Sequence, residues 1–217
     1  MDDLWQQLAA GLLATTWLEF AAVLFGIASV LFSRMENIWV YPTGLVNTTI
    51  YIYLSVVAGL YAEAGVNFYY TVMSIAGWIL WARKTGGQTA LHITRSSCSE
   101  WQWTLAFFFA CWAVLYLLLD HWTDSTVPLA DGLASAAAYT GMLLMTRKKL
   151  ENWLWWILTN LAAMPLYFFK GFVFTAFQYA VFLLLAVSGY IGWRRKLAGS
   201  ATLPATSAPA RQTEAQK

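Results

Sequence analysis

An internal repeat constrains the fold of this chain more than any other feature of its sequence. Segment 77–84 recurs 112 residues later as 189–196, with Gly, Ile, Trp, Arg and Lys in matching places. Farther upstream, Asn47 of the first copy is echoed by Asn160 of the second. Duplicated apolar units that keep polar and aromatic residues are typical of transporters, which bind their cargo between two copies.

The repeated segments are too apolar for a water-soluble protein. Hydrophobic residues make up 59% of the 217 positions and charged residues 11%. One soluble core cannot bury that much apolar surface, so lipid must form part of the solvent. The chain opens on acidic residues and its first apolar segment carries Glu19, so we expect no cleaved signal peptide.

Charges and turn-forming residues divide the apolar sequence into seven stretches, each close to the ~20 residues that a membrane helix needs. They lack the alternation of a membrane barrel, so we predict an all-α integral membrane protein. Pro165 should kink the sixth span or loosen its outer end. The predicted spans are 14–33, 37–60, 64–83, 101–121, 127–146, 151–169 and 172–194.

Basic residues predict the orientation of these spans. Lys170 alone falls on one side of the membrane, and the basic side is expected to be cytoplasmic. The N terminus is then outside and the C terminus in the cytoplasm, and a single fourth helix gives both triplets the same orientation. The residues on the basic side are Arg34, Arg83, Lys84, Arg95, Arg147, Lys148, Lys149, Arg194, Arg195 and Lys196.

The predicted architecture is two parallel three-helix repeats joined by a linker helix, an arrangement of three, one and three helices. The tail is rich in Ala, Thr, Pro and Ser, which predicts disorder. The predicted parts are an external segment 1–13, a first repeat 14–83, a cytoplasmic loop 84–100, a linker helix 101–121, a second repeat 127–196 and a cytoplasmic tail 197–217.

Polar and aromatic residues share faces on several predicted helices. An unpaired amide in hydrocarbon costs on the order of 4–8 kcal/mol on an alkane scale, so these residues should face protein or a water-filled cavity. Aromatic faces beside amides suit a planar solute, and they also attract cations. The candidate substrate-binding residues are Thr43, Asn47, Tyr51, Asn67, Tyr70, Trp153, Trp156, Asn160, Gln178 and Tyr179.

The same residues have a plainer interpretation. Amides often join membrane helices by hydrogen bonds, and Trp and Tyr collect at membrane interfaces without any ligand. Trp153 lies near the cytoplasmic end of its span, so the interfacial interpretation fits it better than Trp156. The recurrence of amides beside aromatic residues in both copies favours a binding site.

Several mechanisms lack their sequence signatures. No GxxxxGK[ST] loop is present, so nucleotide hydrolysis is not expected. The acidic residues of the spans cluster toward the external ends, which leaves no midplane carboxylate for proton coupling. The two cysteines and two histidines are isolated, so we predict no metal, cofactor or catalytic thiol. Facilitated diffusion is the simplest mechanism left.

Three motif regions stand out. They are the stretch from Leu144-Met145-Thr146-Arg147-Lys148 through Glu151-Asn152 to the WxxWxxxN pattern of Trp153, Trp156 and Asn160, the pattern of Glu36-Asn37, Pro42-x-Gly44 and Asn47, and the third-span ending Gly77-Trp78-x-x-Trp81. These regions resemble the PnuC-type vitamin transporters, and the resemblance covers about residues 14–196.

This resemblance implies a seven-helix carrier related in architecture to the SWEET sugar carriers. It implies facilitated diffusion into a bacterial cytoplasm across the inner membrane, with a cytosolic kinase that phosphorylates the vitamin and traps it. By motif position, Trp153, Trp156 and Asn160 correspond to substrate contacts, with Asn47 as the counterpart in the first repeat. Nicotinamide riboside is the expected cargo, with thiamine and riboflavin as alternatives. The lipid bilayer is an expected partner, nucleic acid is not, and homo-oligomerisation stays open.

Two other classes of function stay open. One is a membrane subunit that binds a ligand without moving it. The other is an enzyme that uses Glu36 and Glu151 as acids. We predict no enzyme, because both residues lie at helix starts, where a carboxylate interacts with the helix dipole by ~0.3–1 kcal/mol.

Overall fold

The computed structural model describes residues 16–59, 61–85, 88–123, 127–169 and 173–201. Within these ranges it contains seven α-helices and one short antiparallel hairpin, which confirms the predicted all-α class. The helices are α1 Trp17–Met35, α2 Val40–Val57, α3 Tyr61–Ala82, α4 Cys98–Trp122, α5 Pro128–Thr146, α6 Asn152–Phe169 and α7 Val173–Ala201, and the strands are β1 Lys84–Thr85 and β2 Gln88–Thr89.

Capping boxes set the first residues of α1 and α4. The Thr16 hydroxyl accepts a hydrogen bond from the Glu19 N–H, and the Glu19 carboxylate accepts one from the Thr16 N–H. Ser97 and Glu100 make the same reciprocal pair. Each box satisfies two N–H groups that the first turn would otherwise leave unpaired. Consequently α1 begins after the predicted position 14 and α4 begins before the predicted position 101.

The later helices differ from prediction mainly at their ends. α6 continues through Pro165 to Phe169, and the kink there stays a prediction. α7 runs to Ala201 rather than to 194, so residues 197–201 are helical and the predicted tail is wrong for that part. The predicted external segment 1–13 and the rest of the tail, 202–217, lie outside the described residues.

Six of the described helices contact one another in a closed order. α1, α2 and α3 pack in sequence, and so do α5, α6 and α7. α3 also packs against α5, and α1 against α7, which closes a ring in the order α1, α2, α3, α5, α6, α7. α4 packs against α5. In this order α2 lies opposite α6 across the interior of the ring.

Three helices in the described ranges are long and apolar enough to cross a membrane by length and composition. They are α1, α4 and the segment Thr175–Gly199 of α7. The helices α2, α3 and α5 each carry five or six Asn, Ser, Thr and Gly residues, against three in α1 and two in α4. Such polar positions are expected where helices face one another or a cavity rather than lipid.

The link between α3 and α4 is docked against the turn between α5 and α6. The Thr94 carbonyl accepts a hydrogen bond from the Leu150 N–H at 2.9 Å, and the Thr94 N–H donates to the Lys148 carbonyl at 3.1 Å. The backbone N–H and the hydroxyl of Ser96 both donate to the Glu151 carboxylate at 2.9 Å. Glu151 is 8% exposed, so this carboxylate holds the link in place.

Candidate substrate-binding site

Aromatic pairs near one end of the ring repeat between the two triplets. Trp81 on α3 packs edge-on against Tyr41 on α2, with ring centroids 5.2 Å apart. Trp193 on α7 packs edge-on against Trp153 on α6, with centroids 5.6 Å apart. Each residue of the second pair lies 112 positions after its counterpart in the first. The internal repeat is therefore also a repeat of contacts.

The structure places Trp153 in this packing layer rather than in the interior of the ring. Its side chain is 2% exposed, and it covers Gly189, where an added Cβ would overlap the indole. The indole N–H has no hydrogen-bond partner within the described ranges. Trp153 thus joins α6 to α7. Its motif neighbour Trp156 instead lies near Tyr70 of α3.

Side-chain hydrogen bonds show which residues of the two copies occupy equivalent positions. The Asn47 amide donates to the Ala22 carbonyl at 2.7 Å. The Thr159 hydroxyl donates to the Ala134 carbonyl at 3.4 Å, and both residues lie 112 positions after those of the first bond. Asn47 therefore corresponds to Thr159, so the predicted pairing of Asn47 with Asn160 is off by one residue.

Aromatic side chains from α3, α5 and α6 meet in the interior that the six helices enclose. The Tyr70 ring on α3 lies 6.2 Å from the Trp156 ring on α6 and 6.1 Å from the Tyr139 ring on α5. The Tyr69 ring is 4.2 Å from that of Tyr139, and the Tyr69 hydroxyl donates to the Tyr139 carbonyl at 3.0 Å. Because α5 separates α3 from α6, the contact between Tyr70 and Trp156 spans the interior.

A second contact across the interior lies farther along the helices. The Tyr51 hydroxyl on α2 interacts with the Gln178 side chain on α7, although α1 separates these helices in the ring. Beside Gln178, the Tyr179 ring stacks on Tyr167 of α6, with centroids 5.2 Å apart and planes 15° apart. The interior is thus bordered by phenol groups at both levels, joined by the Trp156 indole at the first level and by the Gln178 amide at the second.

Three predicted asparagines use their amide N–H groups within the protein. Asn47, Asn67 and Asn160 each donate to a backbone carbonyl, at 2.7, 3.0 and 2.8 Å respectively. Their carboxamide oxygens accept no hydrogen bond in the described part of the chain, and none is fully shut off from solvent, unlike that of Asn152. These oxygens remain free to accept hydrogen bonds from a bound solute.

Thr43 is satisfied within its own helix. Its hydroxyl donates to the Trp39 carbonyl at 2.7 Å, four residues earlier. Hydroxyls often return to the backbone of a helix in this way, and the bond alone gives no sign of a ligand.

An ion-pair cluster closes one end of the ring, which we call the basic end. The Lys148 ammonium lies 2.9 Å from the Glu36 carboxylate and 4.5 Å from the centroid of the Trp81 ring. Lys196 approaches the same carboxylate at 3.2 Å. Burial would raise the pKa of Glu36, but the hydrogen bonds and charges of Lys148 and Lys196 hold it below its ordinary value.

Glu36 and Lys148 occupy equivalent positions of the two copies, 112 residues apart. Both have left-handed backbone, with φ of 63° and 51°, in the turns that lead from α1 to α2 and from α5 to α6. From the sequence, Lys148 is predicted only to lie on the basic side of the membrane. The pair could have been identified from the sequence, because Glu36 and Lys148 carry opposite charges and are 112 positions apart, the offset of the repeat.

Comparisons with known proteins identify a family and relatives of this chain. A profile of a family described as "Nicotinamide mononucleotide transporter" matches residues 16–195. The nicotinamide riboside transporter PnuC of Neisseria mucosa is 26% identical over 191 residues, which cover 83% of this chain and 73% of that protein. PnuC of Escherichia coli is 21% identical, with coverage of 86% and 88%.

A related protein with a different cargo also matches. The riboflavin/roseoflavin transporter RibM of Streptomyces davaonensis is 20% identical over 181 residues, which cover 82% of this chain and 84% of that protein. Among solved structures, the crystal structure of the vitamin B3 transporter PnuC has the same fold, with a TM-score of 0.67, 23% identity and coverage of 90% of both chains.

Proposed function

This chain belongs to the nicotinamide mononucleotide transporter family, and we propose that it carries nicotinamide riboside across a membrane by facilitated diffusion. The observation that carries the proposal is the contact between Tyr70 and Trp156 across the interior of the helix ring. Two relatives that bear the name nicotinamide riboside transporter support the choice of cargo.

The chemistry of the interior suits this cargo. Nicotinamide riboside has a flat cationic ring, and a well-placed aromatic face attracts a cation by ~0.5–2 kcal/mol. The free carboxamide oxygens of Asn67 and Asn160 can accept hydrogen bonds from the amide of the nicotinamide ring. Basic side chains of the described residues lie in the turns and links between helices or in the last turns of α1 and α7, and Lys148 is engaged by Glu36. A phosphate would lack a cationic partner beside Trp156, so we favour the nucleoside over the nucleotide.

The proposed architecture is two parallel repeats related by a pseudo-twofold axis along the membrane normal, with α4 as the linker, as in SWEET carriers. The contacts of α1 with α7 and of α5 with α3 exchange under this repeat, which supports the arrangement. We place the basic end in the cytoplasm of a bacterium, the protein in the inner membrane and the N terminus outside. A cytosolic kinase would then trap the vitamin.

Riboflavin is the second candidate cargo, because RibM is among the relatives. Riboflavin is neutral and larger than nicotinamide riboside, so it would gain less from the aromatic rings as cation partners. Thiamine is a cationic aromatic molecule and would gain the same attraction.

Flux measurements test the function. Purified protein in liposomes should accelerate the equilibration of labelled nicotinamide riboside without ATP or a proton gradient, and more than that of thiamine or riboflavin. Faster flux of riboflavin would reassign the cargo. Tight binding without flux would identify a ligand-binding subunit, and the absence of flux and binding for all three vitamins would overturn the proposal.

A further inference from the structure

Contacts at the basic end join helices that lie opposite one another in the ring. In the order α1, α2, α3, α5, α6, α7, helix α3 lies opposite α7 and α1 lies opposite α5. The Trp81 ring on α3 is 6.3 Å from the Trp193 ring on α7. The Ser33 hydroxyl on α1 donates to the Met145 sulfur on α5 at 3.4 Å. Two pairs of opposite helices therefore touch here, which closes the interior at this end.

The side chains that make these contacts form one buried layer, which we call the closing layer. Within the first copy Tyr41 packs on Trp81, and within the second Trp153 packs on Trp193. Side chains packed this closely leave no path for a solute as large as a nucleoside. The closing layer consists of Ser33, Tyr41, Trp81, Met145, Trp153 and Trp193, each of them at most 7% exposed.

The hydrogen bonds that hold the closing layer together run between the two copies. The Trp81 indole N–H donates to the Thr146 carbonyl at 3.2 Å, and the Trp193 indole N–H donates to the Ser33 carbonyl at 3.0 Å. The ion pair of the basic end also joins one copy to the other. A separation of the two copies at this end would break these bonds and leave the aromatic pair within each copy intact.

Two unpaired polar groups oppose closure. The Tyr41 hydroxyl and the Trp153 indole N–H are buried without a hydrogen-bond partner in the described part of the chain. The two residues are 112 positions apart, so each copy places one such group in the closing layer. An unpaired buried donor destabilises the state that buries it, because water would otherwise bond to it. Separation of the copies would admit water to both groups, which favours opening.

We propose that the closing layer is the barrier that must open for the cargo to leave at the basic end, and that its two unpaired polar groups promote this opening. The members of the layer contact one another rather than the vitamin, so they control the rate of release and not the affinity. Movement of packed units against each other about a few flexible positions is a common way to open such a site. This inference rests on the proposed function.

Cross-linking across the closing layer tests the barrier. In a Cys98→Ser, Cys111→Ser background, Ser33→Cys with Met145→Cys places one thiol on each copy. When a short, reducible bifunctional thiol reagent joins them, the flux of labelled nicotinamide riboside into liposomes should fall about tenfold or more, because the layer can no longer open. A reductant should restore the flux. The Kd from calorimetry should change by less than about twofold.

The matched control joins two positions of one copy. The hydroxyls of Thr48 on α2 and Thr71 on α3 are 2.8 Å apart. Joining Thr48→Cys to Thr71→Cys with the same reagent should leave the flux unchanged, because both residues move with the first copy. Undiminished flux after complete joining of positions 33 and 145 would overturn the barrier, and so would an equal loss of flux in the control. If the wild type neither binds nor carries any vitamin, the proposed function fails instead, so the two failures are distinguishable.

A single substitution tests the unpaired groups, and it decides the question if the cysteine variants do not fold. Tyr41→Phe removes the unpaired hydroxyl and keeps the ring, so it stabilises the closed state. The flux of nicotinamide riboside should fall about fivefold and the Tm should rise, with an unchanged Kd. Tyr53→Phe is the control, because Tyr53 lies on the same helix and is 60% exposed. Equal flux in the two variants, or a raised Kd in Tyr41→Phe, would contradict the proposal.

Discussion

Trp156 is the single side chain whose loss should weaken vitamin binding most. Stacking on an aromatic ring contributes ~0.5–1.5 kcal/mol and attraction of a cation ~0.5–2 kcal/mol. Trp156→Ala should therefore raise the Kd for nicotinamide riboside by roughly 5- to 300-fold in calorimetry. Trp103→Ala is a suitable control, because Trp103 lies on α4 and is 76% exposed. Equal affinity of the two variants would contradict a binding role for Trp156.

Glu36 should make stability depend on pH in the acidic range. Its pKa is lower in the folded protein than its ordinary value of about 4.3. A lowered carboxyl pKa stabilises the fold above the unfolded-state pKa, and this contribution disappears as pH falls through the folded-state pKa. Thermal melting of Glu36→Gln should show a lower Tm than wild type at pH 7, and the difference should shrink below about pH 4. A difference that is the same at pH 7 and pH 3 would exclude this role.

At the residue scale, the types of residue that stand out in the apolar segments can be read from the sequence. Which positions of the two copies are equivalent cannot. Polar and aromatic residues are costly in lipid, which is why Asn67, Tyr70 and Trp156 are predicted from the sequence to line a site, and their binding role stays a prediction. Asn47 and Asn160 are chemically alike, but the hydrogen bonds align Asn47 with Thr159. Only the contacts distinguish residues that look alike from residues that occupy equivalent places.

At the scale of elements, the docked link between α3 and α4 depends on Glu151. Glu151→Ala removes two charge-assisted hydrogen bonds from Ser96, each of which contributes ~1.5–3 kcal/mol. The link should open more often, so trypsin should cleave after Arg83, Lys84 or Arg95 at least about tenfold faster. Asp120→Asn, on exposed α4, is the control. Unchanged cleavage would mean that the two backbone bonds at Thr94 hold the link without the carboxylate.

The helices themselves were predictable because apolar runs of span length are hard to mistake. Their ends required local chemistry: the capping boxes at Thr16 and Ser97 are visible in the sequence and would have corrected the starts of α1 and α4. The docking of the link was not predictable, because it depends on a backbone bridge between Thr94 and the distant turn at Lys149. No periodic pattern in the sequence reports such a contact.

At the scale of the whole molecule, the duplication predicted two similar triplets but not how they meet. The contacts of α3 with α5 and of α1 with α7 close the ring. Each of these helices is apolar on most of its surface, so its sequence does not show which side faces protein and which faces lipid. The exact separation of 112 residues was the most informative clue, since it recurs in the contacts of Trp81 and Trp193 and in the ion pair of Glu36 with Lys148.

The ion pair at the basic end offers a test of this symmetry. Reversing one member, as in Glu36→Lys or Lys148→Glu, places like charges together in a largely buried site. Breaking a buried pair costs ~3–5 kcal/mol, and in a domain of this size each kcal/mol lowers Tm by ~2–4 °C. Each single reversal should therefore lower the Tm in thermal melting by roughly 6 to 20 °C.

The double reversal, Glu36→Lys with Lys148→Glu, should recover at least half of that loss. The two positions share left-handed backbone, so each can present the other's side chain. A lysine at 36 would approach Trp193, just as Lys148 now lies over the equivalent Trp81, and a glutamate at 148 would gain Lys84 in the place of Lys196. If the Tm losses of the two single variants add in the double variant, the two charges cannot be exchanged between the copies. The axis would then relate the backbones of the two copies but not their charges.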